Sequence, residues 1–565
     1  MKKRIIYAVL AAASLALAAT ACGGQGSQSS STGTAGTAGD GGAGAAEAAG
    51  YDYGQDVTFR SEQPVSYSMI FSDHENYPMR QDWRLWSAIE EKTNVTFDLS
   101  IVARVDYNDK VSTLVNTGDA PYIIPKIYEE SSYVAGGQVV AVSDWVQYMP
   151  NYQKCVTEWG METDLKERLQ SDGKYYILPG MWEAAGGGYS MIIRKDLFDA
   201  AGVDVTELEK NWTWDDFYEA CKTVKEHTGM EYVWSDVYNG AAALSISGKA
   251  YGVRAGRASD GGDWNLKNGT KFDYQTNQFY FTNTSDNYRA LLTYWNKMYT
   301  DGIMDPETYS QDSDMAREKF YSGRSLVLTA NYQQLADILA NKYVQDPEAE
   351  LYMVVAPGGP AGQIQMESTR LENGIMISQN ALDELGEEEF IKMLRFVDWL
   401  WYSDEGQTLS LWGVEGETYE KDADGKFVLN SDIYYNGINE GAPKQLNVDY
   451  GFGGGVFAYG GSIELRQSKM TEGEISFNNR IYDNRELAKL DPPIMADEFQ
   501  KEEMVLIQTP LMDYVNEMTL RFIMGKSDLS TEWDTYVAEC EAKGSGRYID
   551  TANEIFEDTR SLLGL

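Results

Sequence analysis

The stretch that decides the fold runs through residues 65–101, where two structural periods follow one another. Residues 65–71 read VSYSMIF and carry apolar or aromatic side chains at every second position. Residues 82–93 read DWRLWSAIEEKT, with apolar residues at helical spacing, and residues 95–101 read VTFDLSI and alternate again. These periods predict strand, helix and strand. A unit of this length implies parallel pairing, so the sequence predicts an α/β protein.

Further strand and helix patterns extend this prediction along the chain. Thr213 and Asp216 have the spacing of a capping box and predict a helix that ends near His227. Other expected elements are a strand at 189–194, a helix from 195, a strand at 325–330, a polar loop at 331–334 and a helix at 387–401. The chain has 565 residues, which are too many for one core, so we expect at least two lobes.

The amino terminus has the pattern of a cleaved leader. Met1 is followed by Lys2, Lys3 and Arg4, and then by an apolar run that ends with small residues before Cys22. This resembles the lipobox of bacterial lipoproteins, which implies cleavage before Cys22 and a lipid on its thiol. We therefore predict a signal peptide at 1–22. Residues 23–54, rich in Gly, Ser and Ala at their start, are predicted to be a disordered tether.

Composition excludes several classes of protein. The chain has 47 Lys and Arg against 87 Asp and Glu, a formal charge of −40, which makes nucleic acid an unsuitable partner. Cys155, Cys221 and Cys540 are widely spaced, so we expect buried thiols rather than disulfides or a zinc site. The sequence shows no familiar catalytic motif. It predicts no enzyme activity, no cofactor and no metal.

Several ordered blocks resemble bacterial extracellular solute-binding proteins of family 1, which are related to maltose-binding and alginate-binding proteins. The similarity is greatest to Gram-positive lipoproteins of the LplA type. The blocks that carry it lie at 118–121, 174–179, 193–198, 214–217, 299–306, 320–324, 396–400, 403–406, 412–416, 522–526 and 533–537. Residues 226–232 depart from the family pattern because they lack the acidic calcium loop of some members.

The resemblance implies a periplasmic-binding-protein-like fold of type II, with two α/β lobes joined by hinge strands. The expected amino-terminal lobe comprises 55–182 and 330–400, and the carboxy-terminal lobe comprises 183–329 and 401–565. Chain crossings are expected near 178–183, 329–331 and 401–405. The family further implies a monomer on the outer face of a Gram-positive cytoplasmic membrane. It would close around a ligand and dock on ABC permease subunits.

The ligand expected from the resemblance is a saccharide, most simply an oligosaccharide, because aromatic rings pack on sugar faces and polar side chains bind hydroxyls. Family position and side-chain chemistry together select these candidate ligand-binding residues: Asp73, His74, Asn76, Tyr77, Trp182, Glu183, Trp234, Trp264, Asn331, Tyr332, Phe457 and Tyr459.

Other functions remain open at the level of sequence. A peptide or another organic solute would suit the same fold. A secreted glycoside hydrolase would need two carboxylates at a suitable separation, which an acidic chain does not exclude by counting. An adhesin or sensor component would share the fold without the transporter.

Overall fold

The computed structural model describes residues 58–186, 188–256, 269–340, 342–366, 370–453 and 459–563. The strands are β1 Val65–Asp73, β2 Val95–Ala103, β3 Ile123–Ile127, β4 Leu178–Trp182, β5 Ser190–Arg194, β6 Thr270–Asp273, β7 Gln278–Phe281, β8 Val327–Ala330, β9 Leu351–Val354, β10 Ile364–Met366, β11 Leu371–Ile377, β12 Tyr419–Lys421, β13 Phe427–Leu429, β14 Ile433–Tyr434, β15 Lys444–Gln445, β16 Gly460–Gly461 and β17 Glu486–Leu487.

Helices surround these strands, and short 3₁₀ turns join some of them. The helices are α1 Arg84–Thr93, α2 Tyr107–Thr117, α3 Ser131–Val134, α4 Pro150–Glu158, α5 Glu162–Leu165, α6 Lys195–Ala200, α7 Val205–Leu208, α8 Trp214–Thr228, α9 Ala241–Tyr251, α10 Asp286–Thr300, α11 Ser313–Tyr321, α12 Tyr332–Ala340, α13 Gln379–Tyr402, α14 Asp404–Trp412, α15 Leu446–Asp449, α16 Ile463–Ser468, α17 Glu472–Asn484, α18 Glu498–Ile523, α19 Trp533–Ala542 and α20 Ser545–Leu563.

The first lobe is built on a six-stranded sheet in the order β16-β4-β11-β3-β1-β2. Strand β1 pairs in parallel with β2, from Val65 opposite Val95 to Asp73 opposite Ala103, and α1 connects the two. This confirms the predicted strand–helix–strand unit. Strand β11 runs antiparallel between β3 and β4, which makes β4 parallel to β3.

The second lobe contains a three-stranded antiparallel sheet in the order β8-β5-β9. Helix α8 packs in this lobe, and its start confirms the capping box. The Thr213 hydroxyl accepts a hydrogen bond from the Asp216 amide, while the Asp216 carboxylate accepts one from the Thr213 amide. The predicted loop at 331–334 is wrong, because α12 begins at Tyr332.

Two large apolar cores show which segments share a lobe. One core joins Tyr67–Met181 to Leu371–Leu465, and the other joins Met191–Ala356 to Leu511–Cys540. Residues 401–465, which the sequence assigned to the carboxy-terminal lobe, therefore contribute to the first core. The buried thiols Cys155, Cys221 and Cys540 are free and belong to these cores, as predicted.

The chain passes between the two sheets at three places. It leaves β4 at Trp182 and enters β5 at Ser190, close to the first predicted crossing. It returns between β9 and β11, and crosses again between β16 and α17, whose Phe477 packs with β5 and β8. The predicted crossings at 329–331 and 401–405 are wrong. After β8 the chain stays in the second lobe through β9, and α13 and α14 both pack in the first core.

One of the blocks that carry the family resemblance, residues 396–400, stabilises the first lobe. Asp398 on α13 is buried and accepts hydrogen bonds from the backbone amides of Asn151 and Tyr152, at 3.1 and 2.8 Å. These amides belong to the first turn of α4, where a carboxylate stabilises the helix dipole. Burial nevertheless raises the pKa of Asp398 to about 6.

The helices of the described residues include none with the length and apolar character of a membrane span.

Candidate functional site

Polar side chains gather where the parallel strands of the first sheet end. His74 follows β1, Arg104 follows β2, and Lys126 is the penultimate residue of β3. Asp73 pairs with Ala103, and Ile127 lies opposite Gly374, so these positions share one edge of the sheet. In α/β proteins with open sheets, ligands bind outside the carboxyl ends of the strands. We call this region, with the residues defined below, the sheet-edge site.

Two irregularities in strand pairing shape the sheet-edge site. Between β3 and β11, the four residues from Ile124 to Ile127 oppose the three residues from Gly374 to Met376, and Lys126 has a left-handed backbone with φ of 59°. Between β11 and β4 the register shifts again, at Glu372 and Asn373. A β-bulge re-aims side chains, and non-glycine residues with positive φ often mark functional positions. The bulges therefore place a cation, a carboxylate and an amide at one edge.

The loop after β1 forms an aromatic and cationic corner. The rings of His74 and Tyr77 stack with centroids 4.2 Å apart, and Nη1 of Arg104 lies 2.8 Å from Nε2 of His74. Burial lowers the pKa of His74, and Glu75 partly opposes this effect. Asp73 is engaged locally, since its Oδ1 accepts the Met79 amide at 2.7 Å. These contacts fix the loop and orient the Tyr77 ring.

Asn76, the remaining predicted residue of this loop, is exposed. Its backbone amide donates to Nδ1 of His74 at 3.1 Å. The structure thus shows a backbone role for this residue in holding the His74 ring.

Trp182, at the end of β4, lies among charged side chains of both polarities. The Arg466 guanidinium lies 4.6 Å from its ring centroid, and the Lys469 ammonium lies 5.8 Å away. The indole Nε1 donates to Oε1 of Glu372 at 3.2 Å. Glu183 accepts the Ile463 amide at 2.7 Å and so holds the first turn of α16, which carries Arg466. Trp182 is half-buried and held in place on one side by these groups.

A small pocket opens between β3, β11 and the segment before β16. Its lining residues are Pro125, Lys126, Gly180, Asn373, Gly374, Ile375, Trp401, Tyr402 and Tyr459. The Asn373 side chain is only 3% exposed, and neither its oxygen nor its nitrogen makes a hydrogen bond of normal geometry. The Tyr128 hydroxyl lies close enough to be affected by it. A buried amide without a full set of partners is suited to a polar ligand group.

Electrostatic contacts extend the site towards the second lobe. Glu372 acts on the hydroxyls of Tyr128 and Tyr459 on one side and on Lys469 on the other. Lys469 in turn interacts with Glu474 on α17, and Glu474 with Tyr332. Burial raises the pKa values of Tyr332, Tyr459 and Tyr77. The predicted residues His74, Tyr77, Trp182, Tyr459 and Tyr332 thus belong to one polar and aromatic network.

Other predicted residues have different places. Trp234 is fully buried in the second core, with ring centroids 5.6 Å from Phe217 and 5.4 Å from Trp295. Its prediction as a ligand contact is corrected to a packing role, because the ring has no exposed face. Asn331 accepts the Gln334 amide at 2.9 Å and holds the start of α12. Trp264 and Phe457 lie outside the described residues.

The structure adds residues that sequence reasoning missed: Arg104, Lys126, Glu372, Asn373, Arg466 and Lys469. A usable signal existed for Lys126, a single charge inside an otherwise apolar strand. Arg104 directly follows a predicted strand in the same way. No local signal marked Glu372, Asn373, Arg466 or Lys469, which reach the sheet edge through long-range pairing. In the described part of the chain, no group of three or more His, Cys, Asp or Glu side chains is arranged to hold a metal ion.

Comparisons with known proteins give a consistent result. A family model described as bacterial extracellular solute-binding protein matches residues 79–408. Lipoprotein LipO of Bacillus subtilis is 21% identical over 340 residues, which are 59% of this chain. The match spans 63% of LipO, less than two thirds of its length.

Solved structures share the fold over most of the chain. An HMO-binding, ABC-transporter-associated solute-binding protein from Bifidobacterium longum infantis has a TM-score of 0.67 at 14% identity, covering 88% of this chain and 99% of that one. The alginate-binding protein AlgQ2 has a TM-score of 0.60 at 13% identity, covering 89% and 100% of the two chains. An N-glycan transport solute-binding protein from Streptococcus pneumoniae has a TM-score of 0.57 at 14% identity, covering 88% and 98%.

Proposed function

The chain belongs to the bacterial extracellular solute-binding protein family, and from this premise we propose that it captures an oligosaccharide between its two lobes and delivers it to an ABC importer. The observation that carries the proposal is the sheet-edge site. There the half-buried rings of Tyr77, Trp182, Tyr332 and Tyr459 share one network with an amide, a carboxylate and several cations. Aromatic faces and such polar groups are what sugar rings and hydroxyls require.

Binding would be coupled to closure of the lobes. The network runs from His74 on the first lobe to Tyr332 on the second, and three chain crossings join the two sheets. A ligand that contacts both ends favours the closed arrangement by its differential affinity for that state. Closure is then the signal that permease subunits would recognise.

The amino terminus supplies the proposed location. Cleavage before Cys22 and lipid on that residue would hold the protein on the outer face of the cytoplasmic membrane. The 23–54 segment would serve as a tether of sufficient reach for a monomer to approach its permease. The role is transport rather than catalysis, since every feature of the proposal concerns binding.

A melting-temperature screen against mono- and oligosaccharides tests the proposal. A ligand that binds only the folded state raises the melting temperature in proportion to the logarithm of its concentration above Kd. We expect a saccharide hit that weakens at least ten-fold in Trp182→Ala and in Tyr332→Ala, with both variants folded. Phe499→Ala is the matched control, because Phe499 is an aromatic residue with 73% of its surface exposed, on α18.

The same samples separate the alternatives. Release of shorter sugars with turnover would replace the transport role with a hydrolase. A shift with peptides and none with saccharides would assign the site to another solute. Normal binding by both alanine variants would show that the ligand binds elsewhere.

A further inference from the structure

The sheet-edge site is richer in cationic side chains than the chain as a whole. The formal charge of the protein is −40. The site nevertheless gathers four cationic side chains, Arg104, Lys126, Arg466 and Lys469, around Glu372 and Glu474. Asp73, Glu75 and Glu183 also border the site, so these cations are balanced rather than in excess, yet such a concentration of cations on a strongly acidic protein favours a ligand that carries negative charge.

Lys126 is the cation on the first-lobe side. It is half-buried in the pocket wall, held there by a bulge with positive φ, and forms no ion pair or side-chain hydrogen bond with any described residue. Burial, and to a smaller extent the nearby Arg104, lowers its pKa to about 8. Among the residues that the structure describes, no carboxylate opposes either effect. The fold thus keeps an ammonium group partly out of water without a counterion.

Lys469 is the corresponding cation near the second lobe. It also is half-buried and has no ion pair within the described residues, and it lies 5.8 Å from the Trp182 ring centroid. Burial and the nearby Arg466 lower its pKa to about 8, although Glu474 and Glu372 partly oppose them. The pKa of Glu474 is itself raised by burial, so its negative charge is the weaker partner.

Glu372 interacts electrostatically with the second of these cations, Lys469. It acts on Tyr459 and Tyr128, beside Lys126, and on Lys469. Its carboxylate is already engaged by the Trp182 indole. A ligand with negative charges would therefore have one ammonium group without an ion pair in the pocket that Tyr459 also lines, and a second one near the ring of Trp182.

An unpaired and partly buried ammonium group costs free energy that a hydrophobic side chain at the same place would not. The cost is recovered when an anion of the ligand enters and forms a charge-assisted hydrogen bond. Because two such groups stand apart with aromatic rings beside them, we propose that the ligand is an acidic oligosaccharide of uronate units. Lys126 and Lys469 each bind one sugar carboxylate. This inference rests on the proposed saccharide function and specifies its substrate class.

The test uses short oligogalacturonides and short oligomannuronates, each compared with its fully methyl-esterified form. Esterification removes the charge and leaves the ring and most hydroxyls in place. We expect the full chain, by titration calorimetry near pH 7, to bind at least one acid series ten-fold or more tightly than its ester. Lys126→Met and Lys469→Met should each weaken acid binding about ten-fold and weaken ester binding by a clearly smaller factor, because the ester lacks the charge that the ammonium group binds. Lys426→Met, at an exposed lysine remote in sequence from the site, is the control.

The possible results separate the two levels of the proposal, which are the saccharide function and the uronate assignment. Equal affinity for acid and ester, or acid binding that survives both methionine variants, would overturn the uronate assignment. Binding of neutral sugars without any uronate would overturn it as well while leaving the saccharide function intact. Binding of a sulfated or phosphorylated sugar in place of the uronates would overturn the uronate assignment, because the site would then recognise a different anion. Failure of every saccharide, with an acidic peptide bound instead, would overturn both levels.

Discussion

Lysines withdrawn from water have opposite surroundings in the interior of the second lobe and at the sheet-edge site. Lys319, in the second lobe, is 2% exposed and donates to Asp305, Glu307 and Gln311 at 2.7, 2.6 and 2.8 Å. Burial by itself would lower its pKa, but these hydrogen bonds outweigh burial and raise it. At the sheet-edge site, Lys126 and Lys469 are half-buried with lowered pKa values and no ion pair among the described residues.

The contrast distinguishes a charged side chain that stabilises the fold from one that we expect to bind a ligand. Three partners surround the ammonium group of Lys319, so nothing further can bind it without displacing them. Lys126 and Lys469 are partly removed from water but have no ion-pair partner among the described residues. Such an arrangement lowers the stability of the fold, so we attribute it to function. The three predictions below test this distinction and run from the largest expected effect to the smallest.

Removing the paired lysine should cause the greatest loss of stability. Lys319→Met leaves Asp305, which is 1% exposed, as a buried carboxylate without its ion-pair partner. We expect the free energy of unfolding to fall by roughly 3 to 5 kcal/mol, the usual cost of breaking a buried pair. Urea unfolding followed by tryptophan fluorescence measures the change, with Lys426→Met as the surface control. A loss below about 1 kcal/mol would remove the contrast between the lobes.

Removing a lysine that has no ion pair should change the free energy of unfolding in the opposite direction. At pH 7 we expect Lys126→Met to raise the free energy of unfolding by about 1 kcal/mol, the low end of the cost of burying a polar group without a partner. The folded pKa of Lys126 is lowered to about 8, below its unfolded value of about 10.4. Between these values the unfolded chain binds more protons, so wild-type stability rises with pH.

The stability difference between Lys126→Met and the wild type should therefore shrink as pH rises from about 8 to about 10. Chemical unfolding at several pH values measures it. Destabilisation of Lys126→Met at pH 7 would show that this lysine has a structural partner after all.

Salt should affect the two regions differently, and this is the smallest of the three expected effects. Raising ionic strength from about 10 mM to about 150 mM shortens the screening length from about 30 Å to about 8 Å. We expect uronate binding at the partly exposed sheet-edge site to weaken about three-fold, roughly 0.7 kcal/mol. The stability loss of Lys319→Met should stay constant, because that pair is buried. Salt-independent uronate binding would argue that hydrogen bonds, and not charge, recognise the ligand.

Local sequence patterns were good guides to local structure. The alternation at 65–71 and 95–101 predicted β1 and β2, and Thr213 with Asp216 predicted the start of α8, because each depends on neighbours within a few residues. The loop expected at 331–334 was wrong for a related reason. Asn331 caps a helix there, and its polar surroundings resemble those of a loop.

Predictions that depend on distant parts of the chain were less complete. Trp182 and Tyr332 belong to the sheet-edge network, and they stay predicted ligand contacts. Trp234 has the same side chain as Trp182 in similarly polar sequence, yet it lies in the second core. Composition around a tryptophan does not reveal whether a neighbouring helix will cover both of its faces.

The sequence by itself determined the α/β class, the family, the acidic body and the pattern of the leader, since these follow from periodicity, ordered motifs and composition. Only the tertiary structure decided where the chain crosses between lobes and which charges meet at the sheet edge. Crossing points depend on which core each segment packs into. Whether a charged side chain has an ion-pair partner depends on residues that are distant in sequence. Lys126, Glu372 and Lys469 are separated by long stretches of sequence. Strand pairing and bulges bring Lys126 and Glu372 to the same end of the first sheet, and Lys469 lies near Trp182 at the end of β4.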